Sequence, residues 1–234
     1  MALVLVGGFS LNIVTGRSTF ASPPRFHVHA FIFMGWLAIF LTQVTLADNG
    51  SLALHRRLGW IAAVWVPLML ISGVYMTVAD ARSGRIPPVF EPAAFLIMDW
   101  LAVFGFAGMV TAAIMRRRQT QWHRRLMLCS MAMILGPGFG RLLPMPMLIP
   151  WTVLAANAPG LLFPLAGAIR DWRADGRVHP AWWWGIGAML AMLFAMQVLP
   201  HTSLGLDLYA WVTSGSDKAL PPLDFPMLSH AMPH

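Results

Sequence analysis

Long apolar runs follow one another along nearly the whole chain, separated by short polar breaks, and no other feature restricts the fold as much. A hydrocarbon layer of about 30 Å takes roughly 20 apolar residues in a helix rising about 1.5 Å per residue. By that ruler seven segments qualify, at about 1–16, 26–47, 58–79, 93–115, 125–143, 147–169 and 181–199. The breaks carry turn chemistry: Ser22-Pro23-Pro24, Asp48-Asn49-Gly50-Ser51, the stretch from Arg82 to Pro88, and Asp171 to Pro180. The expected fold is therefore all-α, a polytopic integral membrane helix bundle of about seven transmembrane helices, built as a lead-in helix plus three hairpins. Pro67, Pro137, Pro150, Pro159 and Pro164 fall inside the runs, where neighbouring helices must satisfy the carbonyls they free.

Composition agrees, since 58% of the residues are hydrophobic and only 11% charged, too apolar for a soluble domain. The formal charge of +7 comes from short basic clusters between the runs, as expected for groups anchoring loops at a lipid surface, so no nucleic-acid partner is expected. The first run lacks a basic leader and a convincing cleavage site, and reads as a short first helix rather than a signal peptide. A single cysteine, Cys129, excludes an internal disulfide. The bundle should occupy 1–200. The remainder, 201–234, should be an interfacial segment around Leu204 to Val212 followed by a flexible, proline-rich tail. Loops between runs two and three, four and five, and six and seven hold ten of the sixteen basic residues, which favours a cytoplasmic N-terminus and an external C-terminus.

One short phrase occurs twice, as Leu54-His55-Arg56-Arg57-Leu58 and Trp122-His123-Arg124-Arg125-Leu126, each time opening an apolar run. His179, in Gly176-Arg177-Val178-His179-Pro180, stands in the same place before the last run. Three histidines at one depth suit a directly ligated metal ion, and two suit the clamping of a haem iron with arginines near its propionates. The plain alternative is that each phrase anchors a helix end among headgroups. In Phe26-His27-Val28-His29 the two imidazoles point to nearly opposite sides of a helix, and His29 lies deeper in its run. Asp99 sits inside the fourth run, where a carboxylate needs a partner; Arg141 and a histidine such as His201 are the candidates. Gln43 should hydrogen-bond across helices. The 17 methionines are scattered, and core filling explains them better than copper ligation. No phosphate loop, serine-hydrolase elbow or zinc-protease helix is present.

His27-x-His29 with Trp36 and Gln43, His55-Arg56-Arg57-Leu58-Gly59, His123-Arg124-Arg125-Leu126-Met127, Arg141, and Asp171 with Gly176-Arg177-Val178-His179-Pro180 together resemble a broad group of bacterial multi-spanning proteins of unknown function, over roughly residues 7 to 200. That resemblance implies residence in the bacterial inner (cytoplasmic) membrane. More distantly, the helix starts resemble those of two-haem transmembrane b-type cytochromes. This second resemblance implies haem b on the cytoplasmic side between His55 and His123, with Arg56, Arg57, Arg124 or Arg125 near its propionates and His29 as an axial candidate for a second haem. Helix four departs from the family, because Asp99 stands where that second haem would want a histidine.

Three functions are in play. The first is a b-type haem protein carrying electrons within or across the bilayer, with a quinone or another redox partner. The second is a membrane enzyme holding a Zn or Fe ion on His55, His123 and His179, with Asp171, and acting on a lipid-like substrate. The third is a cofactor-free transporter, sensor or assembly partner built on Asp99, Arg141 and the external histidines.

Overall fold

The computed structural model describes residues 1–19 and 21–229, and every regular element among them is helical. In chain order these are α1 (Ala2–Val14), α2 (Pro24–Asp48), α3 (Leu52–Gly59), α4 (Ile61–Ser83), α5 (Pro92–Met115), α6 (Thr120–Met133), α7 (Gly136–Leu142), α8 (Thr152–Asn157), α9 (Leu162–Asp175), α10 (Pro180–Val198), α11 (Ser203–Thr213) and α12 (Pro226–Ser229), with three short 3₁₀ turns between them.

Five stretches are long and apolar enough to cross a membrane: Pro24–Asp48, Leu52–Ser83, Pro92–Met115, Thr152–Asp175 and Pro180–His201. Leu52–Ser83 joins α3 to α4 through one tightened step, where the Trp60 and Ala63 N–H groups donate three residues back rather than four. At 32 residues it runs about 48 Å, longer than the roughly 30 Å of a hydrocarbon layer. Two of the seven runs are not single long helices. Over its 13 residues α1 reaches only about 20 Å. The run 125–143 is divided into α6 and α7, because Pro137 has no N–H to donate and in a continuous helix its ring would clash with the Met133 carbonyl.

The central helix is α5. It buries residues along its whole length, from Pro92 to Ala113, whereas α2 buries only Trp36 and Leu37 and lies at the periphery. On one side of α5, Cys129, Met133, Trp182, Met189 and Met192 pack from α6 and α10. On the other, Trp36, Met69, Met131 and Leu135 surround Phe106, whose ring meets Trp36 edge-on at 5.2 Å between centroids. Glycines bring helices close: a Cβ on Gly8 of α1 would stand 2.6 Å from the Gly138 carbonyl of α7, and one on Gly185 of α10 would collide with Cys129. The outward faces carry Phe31, Ile71, Phe104, Trp183 and Phe194, all exposed, as helices facing lipid require.

Because the long helices alternate in direction, the turns 49–51, 116–119 and 176–179 share one end, called here the histidine end. The turns 84–91, 143–151 and 199–202 share the other, together with α11. The histidine end holds ten basic and three acidic residues, and the opposite end six of each, so the whole net charge of +7 resides at the histidine end. The C-terminal segment, expected as a loose tail, is tied to the opposite end across its described part. Arg82 donates to the Val212 and Ser214 carbonyls at 2.9 Å, the Ala93 N–H to Pro222 at 2.9 Å, and the Met227 N–H to Pro88 at 2.9 Å. Residues 230–234 lie outside the described residues.

Candidate functional site

Gly50, with φ at +74°, takes the left-handed backbone that lets the chain reverse between α2 and α3 in three residues. That tight turn lays the first turn of α3 against the last turns of α2, and the His55 Nδ1–H donates to the Gln43 carbonyl at 3.2 Å. The α5–α6 turn repeats the arrangement, with the His123 Nδ1–H donating to the Ala113 carbonyl at 2.9 Å. A carbonyl only accepts, so each ring carries a proton on Nδ1, and the hydrogen bond leaves Nε2 as the nitrogen turned to other uses. The two phrases thus fold alike, and they meet. The His55 and His123 ring centroids are 6.1 Å apart, with their planes at 82°.

The three-histidine metal site is not formed. Among the described residues no group of three or more His, Cys, Asp or Glu side chains is placed to hold a metal ion. His179 is claimed by helix capping, since its Nδ1 accepts from the Ala181 N–H at the start of α10 and its ring lies edge-on to Trp122 at 5.4 Å. Burial, and after it the nearby Arg125 charge, holds the His179 imidazole below its ordinary value.

Of the four arginines grouped with the pair, Arg56, Arg57 and Arg124 are exposed at the histidine end, free to reach an anionic group. Arg125 is committed elsewhere. It is buried, and its guanidinium grips Asp171 through Nη2 at 2.7 Å and Nε at 2.9 Å, with Gln121 completing the set. The Trp182 indole N–H donates to the same carboxylate oxygen at 2.8 Å. This lock joins α6, α9 and α10. Its one sequence signal is an acidic residue standing in a strongly basic loop region; nothing in the spacing names its partner.

Gln43 does not form the expected bridge between helices. Both atoms of its side-chain amide are buried without a hydrogen-bonding partner, against Gly59, one turn beyond His55.

The residues of the opposite half are spread out rather than gathered. Nδ1 of His29 pairs with the Ser72 hydroxyl at 3.0 Å, and the ring stacks on Phe33 at 4.4 Å. The exposed His27 reaches the Ser22 carbonyl at 3.0 Å. The Asp99 carboxylate accepts from Thr77 at 3.3 Å, while Arg141 donates to the Pro137 carbonyl at 2.7 Å and lies over the Phe9 ring at 4.1 Å. Arg141 therefore acts on Asp99 only through space. At that end His201 Nε2 lies 3.0 Å from a Glu91 carboxylate oxygen, and burial first raises the Glu91 carboxyl, with the histidine contact partly offsetting it. Asp80, near the end of α4, carries a buried Oδ1 without a hydrogen bond, and the sequence had placed it just outside its run.

Comparison of the chain with protein-family models, with curated proteins and with solved structures finds no match.

Proposed function

We propose that the protein is a membrane-embedded b-type haem protein that carries single electrons within or across the bilayer, and that His55 and His123 would hold the haem. The observation that carries this reading is the pair itself: two imidazoles from the starts of α3 and α6, each held by its Nδ1 on a backbone carbonyl, with centroids 6.1 Å apart. Metal-binding histidines characteristically donate their other ring nitrogen in this way, which fixes the tautomer and raises ligand basicity. Ligand count separates the cofactors. A zinc or non-haem iron centre wants a third protein donor, which the described residues do not bring, whereas a haem brings four nitrogens and asks the protein for two.

The haem iron would supply a one-electron couple. The chain's own residues do the rest: Arg56, Arg57 and Arg124 neutralise carboxylates at the interface, and the unpartnered Gln43 amide offers a hydrogen bond close to His55. One haem is proposed rather than two, since His29 is paired with Ser72 and α5 offers Asp99 instead of a second ligand. The proposal includes seven passes, with α1 and the α6–α7 pair completing the five long helices, in a bacterial inner membrane. Placing the charge of +7 at the cytoplasmic face sets the C-terminus outside. A quinone or another membrane redox partner then exchanges the electron.

Haem content per chain tests this directly. Protein expressed with added haem should carry about one haem b, retained in His179→Ala and lost in His55→Ala and in His123→Ala. Folded protein without haem would discard the reading.

The second reading is a cofactor-free role. It draws on the same two hydrogen bonds, which by themselves clamp each hairpin shut.

A further inference from the structure

An apolar groove of about 470 Å³ runs along α5 between α6 and α10. Its floor is the face Leu101, Gly105, Gly108 and Ala112, repeating every three or four residues, where Gly108 leaves open space above the helix. Phe104 and Trp184 stand at its sides, both strongly exposed, so it opens toward the bilayer. At the histidine end it stops at Arg116, whose guanidinium lies 4.0 Å from the centre of the Trp122 ring, and Arg117 and Arg118 follow in the same turn. From Leu101 to Arg116 the helix rises about 22 Å, more than the roughly 15 Å of one leaflet's hydrocarbon.

We infer that this groove is a binding site for one anionic phospholipid, with an acyl chain lying over the open space at Gly108 and beside Ala112 and the phosphate held at Arg116. Charge chooses the occupant. A slot lined almost wholly by carbon excludes a polar solute along its length, and the three consecutive arginines at its end select a negative headgroup over a zwitterionic one. Trp122 holds the Arg116 guanidinium over its indole, 4.0 Å from the ring centre, which fixes the charge at the end of the groove. Removing the glycine floor closes the slot, whereas removing Arg116 leaves the slot but takes away the preference. The inference rests on the groove and its charge, independent of any cofactor.

The test is native mass spectrometry of the full chain, stripped of lipid in detergent and titrated with dioleoyl phosphatidylglycerol or dioleoyl phosphatidylcholine. The unchanged protein should retain one phosphatidylglycerol at least roughly fivefold more tightly than phosphatidylcholine, and Arg116→Ala should erase most of that difference. Gly108→Leu should weaken both lipids, while Arg173→Ala, on α9 at the same end and away from the groove, should keep the preference. Equal retention of the two lipids by the unchanged protein would overturn the inference. So would an undiminished preference in Arg116→Ala with its melting temperature unchanged, or displacement of the lipid by inorganic phosphate alone.

Discussion

At the scale of single residues, neighbours with the same chemistry have different roles. Arg124 and Arg125 adjoin in sequence, yet one is exposed and the other is buried on Asp171. Taking Arg125 to alanine leaves a buried carboxylate with no counter-charge, a loss of about 3–5 kcal/mol, whereas replacing both partners by apolar residues costs much less. The melting temperature of detergent-purified Arg125→Ala, beside Arg56→Ala and an Arg125→Met/Asp171→Leu double variant, measures this; only the single change at Arg125 should fall steeply. His179 predicts a pH dependence. Its folded pKa lies below the ordinary value of about 6.5, so in that window the unfolded chain binds more protons and stability falls as pH drops. Protonation also removes the lone pair that caps α10. Melting curves from pH 8 to pH 5.5 should therefore lose more stability for the unchanged protein than for His179→Asn, which caps without titrating. The meeting of His55 with His123 is legible beforehand, because a repeated phrase at two helix starts falls at one depth. The Arg125–Asp171 pair is not, since its partners lie 46 residues apart and only the packing of α6 on α9 joins them.

At the scale of elements, the apolar runs foretell the long helices well, because a span needs little beyond length and apolarity. They foretell breaks poorly. Pro137 suggests a kink, but with Gly136 before it and Gly138 after it the helix ends and restarts. The C-terminal segment misleads in the other direction: its prolines and polar residues read as loose, while its backbone groups find partners on Arg82, Pro88 and Ala93. Contact between α6 and α10 depends on Gly185 lying over the buried Cys129. Gly185→Val should cost about 1–3 kcal/mol by overpacking. Cys129 itself reports the result. A thiol-reactive fluorophore should label it only on unfolding in the unchanged protein, and at a lower temperature in Gly185→Val; equal labelling temperatures would show that the close approach is not needed.

At the scale of the whole molecule, the concentration of net charge at one end predicts orientation. With Cys129 replaced by serine and a cysteine placed at Asp217, a membrane-impermeant maleimide should label intact spheroplasts. A cysteine at Arg118 should react only after lysis, and the reverse pattern would invert the topology. Orientation sets which side of the membrane the histidine end faces, and the proposed electron transfer turns first on whether that end holds haem. The most direct measurement is the absorption spectrum of the purified protein, air-oxidised and then reduced with dithionite, beside His55→Ala and His123→Ala. A sharp reduced α-band in the unchanged protein, absent from both variants while their folded yield is preserved, is the predicted result. A flat visible spectrum from haem-supplemented, folded protein, or an α-band that survives either substitution, would contradict the axial pair.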